Sequence, residues 1–311
     1  MDSEIEGDLN CNRDMNLSHA MLNDPISCNA YYELFQTHDD LFKDKIVLDV
    51  GCRSGMLSLM AVEVGAIKVI ATGNMESADF VEKALSGSEK EDIFESINGS
   101  IEQIRLPYGL KKVDIIVSEW MGHAIFTESL YRDVIYARDK WLVKGGLIIP
   151  NVATLFMAGI SKHVPENFQE DEIDSEDEIL LEDYVRPDQL MTHRFRLKIT
   201  NLSVANKEDE YFQGPFGMNA LRDGEIEGFV LHFDVAVAHD KISMPLFSIG
   251  PRAPKTYLKQ TVIYLEDNLM VQKHEMIEGY IGMFANKSAV RGVEFILGMK
   301  TIYESSSEMS E

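Results

Sequence analysis

Val47–Gly55, VLDVGCRSG, is the stretch whose reading decides the fold. The compact apolar run Lys45–Asp49 (KIVLD) ends in an acid and gives way to a glycine turn, and the MLSLMAVEVGA that follows carries apolar residues at helical spacing. Strand, turn and helix in that order form half of a parallel βαβ unit. Glycines let backbone amides come close to a ligand, and nucleotide cofactors bind at the carboxyl edge of such a sheet. Asp49, Gly51, Cys52, Arg53 and Gly55 are therefore candidate cofactor-binding residues, with Arg53 standing where a middle glycine is expected. A glycine turn alone is a weak signal, and a strand-turn-helix that binds nothing is the competing reading.

Working outward, Ile67–Thr72, Val113–Ser118 and Gly146–Ile149 read as three further strands alternating with helical patterns. Met21–Leu41 reads as one or two short helices broken near Pro25, and residues 1–20 as a frayed terminus. After Pro150 the pattern changes. Thr154–Gly159, Arg194–Leu202, Gly228–Ala238, Thr261–Leu265, Gly279–Phe284 and Val293–Met299 are strand-like runs with few helical patterns between them, which predicts an antiparallel sheet or barrel. The domain boundary is placed at Pro150-Asn151, giving a cofactor half at 21–150 and a second half at 151–311 with an acidic insertion at 161–190. Within that insertion Glu166–Asp183 holds ten acidic residues and no Lys or Arg, so it reads as a loop or mobile segment.

With 311 residues, 45% of them hydrophobic, the chain can bury a sizeable core. The N-terminus MDSEIEGDLN is acidic, with neither the basic start nor the apolar stretch of a signal peptide, and no apolar run reaches membrane-span length. The three cysteines, Cys11, Cys28 and Cys52, share no metal-ligand spacing, and no metal site is expected. Reduced thiols in the cytoplasm or nucleus are the expected state. A formal net charge of −23 disfavours direct contact with nucleic acid or anionic membranes and favours basic partners such as Lys/Arg-rich tails, with solubility alone as the competing reading.

Beyond the third strand, Ser118-Glu119-Trp120-Met121-Gly122 leads to Glu128-Ser129, placing two carboxylates nine positions apart around an aromatic-rich turn. Exposed glutamates are usually solvated surface. These two follow a buried strand at the edge where ligands bind, and two carboxylates can grip a guanidinium through parallel charge-assisted hydrogen bonds. Such a grip orients one nitrogen and draws the positive charge away from it, preparing that nitrogen as a nucleophile.

At these residues the chain resembles the protein arginine methyltransferase family. SEWMG…ES is similar to its double-glutamate loop, Tyr136–Pro150 to the segment closing its Rossmann-like half, and Lys259–Asp267 to a strand of its β-barrel. The resemblance runs from about Met21 to about Met299. It implies a Rossmann-like S-adenosylmethionine methyltransferase domain followed by an antiparallel β-barrel, and methyl transfer to arginine in basic proteins such as histones. Glu119 and Glu128 would form the guanidinium clamp. Asp49, Gly51 and Gly55 would line the cofactor's methionine and ribose side, with Cys52 and Arg53 in the same cofactor loop, Glu102 would read its adenine, and Met21 would pack near the reacting centre.

The chain departs from the family pattern at several positions. The family's N-terminal aromatic motif is not recognisable in residues 8–18. Ser27 stands where an arginine pairs with the cofactor carboxylate, and Gly73 where an acid grips the ribose hydroxyls. Thr256-Tyr257-Leu258 replaces a Thr-His-Trp whose histidine supports the glutamates. Losing two charged hydrogen bonds of about 1.5–3 kcal/mol each weakens cofactor binding on the order of a hundredfold to many thousandfold. Arg53 is a candidate replacement for the cation missing at Ser27. The acidic, tryptophan-free insertion predicts weak or absent family-type homodimerisation. A second reading follows: a catalytically silent member that holds arginine-rich tails or a partner methyltransferase.

Overall fold

The computed structural model describes residues 19–73, 75–162, 180–285 and 293–300. Strand β1 (Ile46–Val50) pairs in parallel with β2 (Lys68–Thr72) on one side and with β4 (Val113–Val117) on the other. With β3 (Phe94–Ile97) and β5 (Leu142–Ile149) at the edges, the sheet order is β3-β2-β1-β4-β5. Chain direction across the sheet reverses between β1 and β4, so the crevice above their carboxyl ends is the switch point where ligands bind in such folds. Helices α1 (Pro25–Thr37), α2 (Met56–Glu63), α3 (Met75–Leu85) and α4 (Tyr131–Trp141) accompany these strands. As the sequence predicts, the helical stretch is broken near Pro25: residues 19–22 are helical, 23–24 are not, and Pro25 opens α1, where a missing N–H costs nothing, with Asp24 as the N-cap accepting from the Ile26 amide at 2.9 Å.

The fifth strand of this sheet, Phe94–Ile97, was not expected. Its sequence FESI sits at an edge, and its residues after Phe94 are only half-buried, so the long apolar run that marks the inner strands is absent.

The second half is antiparallel and β-barrel-like. β6 (Val152–Ile160), β7 (Leu180–Asp183), β8 (Phe195–Asn201), β10 (Gly224–His239) and β12 (Gln260–Val271) are ordered β7-β12-β10-β6-β8, with β11 (Ile242–Ser248) paired to β10. β9 (Phe212–Asn219), β13 (Met276–Ala285) and β14 (Val293–Met299) form the order β14-β13-β9. Leu180–Asp183 corrects the loop reading of Glu166–Asp183: these four residues pair with Gln260–Ile263 as a strand. Residues 163–179, most of the acidic insertion, lie outside the described residues, as do 1–18 of the expected frayed terminus.

Asn151 pins the junction between the halves. Fully buried, it donates to the Ala238 carbonyl at 2.7 Å and accepts from the Ala238 amide at 2.8 Å. Arg138 on α4 adds two 2.6 Å bonds to the carbonyls of Leu202 and Ala205. Tyr31 of α1 meets Phe247 of β11 edge-to-face at 6.0 Å, so one continuous core runs through both halves.

Candidate active site

Four elements converge on the switch point: the β1–α2 turn, the loop after β4, the start of α1, and the Thr256-Tyr257-Leu258 turn before β12. In the β1–α2 turn, Gly51 (φ 83°) and Gly55 (φ 74°) take left-handed backbone that side-chain-bearing residues rarely adopt. Asp49 is buried and accepts from Ser58 Oγ at 2.7 Å. Burial pushes its pKa up to about 6, the Ser58 bond acting against the rise. Cys52 is also buried, and desolvation holds its thiol well above the usual range, so it is no nucleophile.

The loop after β4 is rigidly built. Ser118 Oγ donates to the Val50 carbonyl at 2.7 Å, joining the ends of β4 and β1. Trp120, fully buried, donates from its indole nitrogen to the Pro150 carbonyl at 3.0 Å. Bridges Gly122–Ile125 and His123–Thr127 fold the loop back on itself. A Cβ on Gly122 would lie 1.8 Å from the Thr127 carbonyl oxygen, so glycine is obligatory there. Ala124 (φ 43°), Ile125 (φ 75°) and Glu128 (φ 55°) all have positive φ, and for a β-branched residue such as Ile125 that is a strained conformation. Strain of this kind collects at functional sites, where surrounding structure over-determines it.

The two glutamates sit in unlike surroundings. Glu119 is 5% exposed, whereas Glu128 lies on the exposed side of the loop. Burial raises the Glu119 pKa to about 8; Arg53 pulls it down, the Asp49 charge raises it, the Tyr257 hydrogen bond lowers it and Asp24 raises it. Tyr257 Oη donates to Glu119 Oε1 at 3.4 Å, so a phenol contacts this glutamate from the Thr-Tyr-Leu turn. The same turn is tied to α1: the Tyr257 amide donates to Asp24 Oδ2 at 3.2 Å, and Ser27 Oγ donates to that oxygen at 2.8 Å. Ser27 is thus a fully buried part of a helix-cap network.

Arg53 crosses to the glutamate loop. Its Nη2 donates to the Glu128 carbonyl at 3.1 Å, and its own carbonyl accepts from Ser77 Oγ. The expected compensation placed this cation at the methionine end of the pocket; the guanidinium is instead engaged with the clamp loop. Met21 is fully buried, its carbonyl accepting from Cys28 Sγ at 3.2 Å. Glu102 is exposed after β3, its carbonyl accepting from Tyr136 Oη at 3.2 Å.

Gly73 follows β2 with φ 121°, and a Cβ built there would lie 2.9 Å from Gly51 Cα and carbonyl carbon. Backbone packs against backbone at this point, so no acidic side chain fits without displacing the glycine turn. The cleft therefore suits S-adenosylmethionine at the turn, through Asp49, Gly51 and Gly55, and offers no acid at Gly73 for the ribose.

Sequence reasoning did not single out Tyr31, Asp24 or Ser58. Tyr31 is fully buried with an unpartnered Oη, and Glu119, Tyr257 and Cys28 all act on its titration. Asp24 in NDPIS carried a readable signal, an N-cap acid before a helix-opening proline.

A family model described as the arginine methyltransferase oligomerization subdomain matches residues 151–301, and one described as ribosomal protein L11 methyltransferase (PrmA) matches residues 32–151. The probable protein arginine N-methyltransferase 1.2 of Arabidopsis thaliana is 34% identical over 298 residues, covering 90% of this chain and 79% of that protein. The chain belongs to the protein arginine methyltransferase family. Protein arginine N-methyltransferase 1 of Chlamydomonas reinhardtii is 35% identical over 295 residues, covering 89% of this chain and 83% of that one. Among solved structures of the family, the Trypanosoma brucei PRMT1 enzyme-prozyme heterotetrameric complex with AdoHcy superposes with a TM-score of 0.81 at 27% identity, over 92% of this chain and 93% of that chain.

Proposed function

We propose that this protein methylates arginine in basic proteins such as histones, in the cytoplasm or nucleus, with S-adenosylmethionine as methyl donor. The observation that carries the reading is Glu119, a buried carboxylate held at the switch point by a strained loop whose other end is Glu128. When bound, the cofactor supplies an electrophilic methyl group. Asp49, Gly51, Cys52, Gly55, Glu102 and Met21 are the residues assigned to its surroundings, while the Arg53 side chain reaches from the same glycine turn to the Glu128 carbonyl. Glu119 and Glu128 grip the substrate guanidinium and localise its charge, leaving one nitrogen oriented for attack. The surrounding net charge of −23 draws basic tails to the site.

The test is transfer of radiolabelled methyl from S-adenosylmethionine to a histone, comparing the parent with Glu119→Gln. The parent labels the histone, and the variant loses about 10²–10³-fold in rate, the scale for removing one preorganised electrostatic group. Equal labelling by both would refute the assigned role of Glu119.

Specific observations favour a second reading, a silent subunit that serves a partner methyltransferase. Ser27 is locked into a cap network, Gly73 admits no acid, and the T. brucei structure pairs an enzyme with a prozyme. Under this reading the chain labels no histone alone, and assembly with a different family chain takes precedence over self-pairing.

A further inference from the structure

We propose that Arg53 is an internal occupant of the guanidinium site, lying on the double-glutamate loop where a substrate arginine must bind, so that arginine enters only when Arg53 leaves. This rests on the proposed role of Glu119 and Glu128 as the clamp.

Arg53 reaches the loop from the opposite wall of the crevice, the β1–α2 turn. Its Nη2 donates to the Glu128 carbonyl at 3.1 Å, and among the charges acting on Glu119 its influence is the strongest. The side chain is half-buried, and its backbone is fixed by Ser77 Oγ and by the left-handed glycines on either side. A guanidinium is a planar fork that stays charged at any physiological pH, so it presents to this loop the same chemistry as the substrate. Two such cations at one carboxylate-bearing loop repel each other, and one must yield.

Tyr257 Oη contacts Glu119 from the barrel side. Arginine affinity is reduced by the fraction of molecules in which the plug is in place.

Binding of a fluorescent arginine-rich peptide by the full chain tests this, with S-adenosylhomocysteine titrated in parallel. The variants are Arg53→Gly, Arg53→Lys, Arg53→Gly combined with Glu119→Gln, and Arg105→Gly, which removes an equal charge from an exposed position. A plug closed about nine-tenths of the time gives Arg53→Gly roughly a tenfold gain in peptide affinity. Arg53→Lys gains less, the double variant loses the gain, and Arg105→Gly matches the parent. No gain for Arg53→Gly, or an equal gain for Arg105→Gly, overturns the plug while leaving the clamp in place. Peptide binding indifferent to Glu119 in every variant overturns the clamp itself and the plug with it.

Discussion

The two ends of the crevice above the parallel sheet differ in what they retain. At the β4 end, Glu119 is buried, contacted by Tyr257, and carried on a loop with three positive-φ residues between 124 and 128. At the β2 end the backbone of Gly73 packs on that of Gly51, and the acid that the family resemblance places there has no room. Both ends hold a buried acid, Glu119 at the β4 end and Asp49 at the glycine turn, but no acid stands at Gly73 and no cation at Ser27.

The largest expected effect lies in the scaffold of the β4 end. Trp120→Ala removes a fully buried indole and its bond to Pro150, so stability should fall by about 3–5 kcal/mol in chemical denaturation. A loss below about 1 kcal/mol would show that the loop does not depend on this anchor.

Gly73→Glu probes the other end. With φ 121° and a 2.9 Å approach to Gly51, the substitution should cost about 1–3 kcal/mol and fail to improve S-adenosylhomocysteine binding. A stable variant with tighter binding would mean that the acid was lost without a backbone reason.

A smaller effect follows from titration. Glu119 is raised from 4.5 to about 8 and Asp49 from 3.8 to about 6, both chiefly by burial. Because the unfolded chain ionises these groups at lower pH, the folded state binds more protons between those values. Their contribution to stability is complete near pH 4 and declines as pH rises toward 8. Arginine binding runs the opposite way, since the clamp needs ionised Glu119, and peptide affinity should rise about tenfold between pH 7 and 9. The groups acting on Glu119 are Arg53, Asp49, Tyr257 and Asp24, with Cys28 and Tyr31 also coupled to it. A flat profile, with Glu119→Gln unchanged in its own, would place the titrating group elsewhere.

The parts of the fold that sequence made legible were those where one physical signal dominated. The inner strands β1, β2 and β4 are buried apolar runs, and the turn VLDVGCRSG announced itself by its glycines. The strands that escaped were edge strands: β3 is half polar, β9 carries Pro215 and three residues of glycine or proline in FQGPFG, and β11 carries Pro245. Proline is tolerated only where a strand has a free side, so it masks an edge strand. The two carboxylates were visible as a pair in sequence, but their unequal burial was not, because it depends on how the loop folds back through Gly122. The direction of Arg53 was hidden for the same reason: its partner is 75 residues away.

Calorimetric titration of S-adenosylhomocysteine into the parent protein tests the contrast between the two ends most directly. With neither an arginine at Ser27 nor an acid at Gly73, about 3–6 kcal/mol of charged hydrogen bonding is missing, so a dissociation constant weaker than about 100 μM is expected. Binding at about 1 μM or tighter would contradict it, and would mean that the crevice holds its cofactor through contacts other than those two charges.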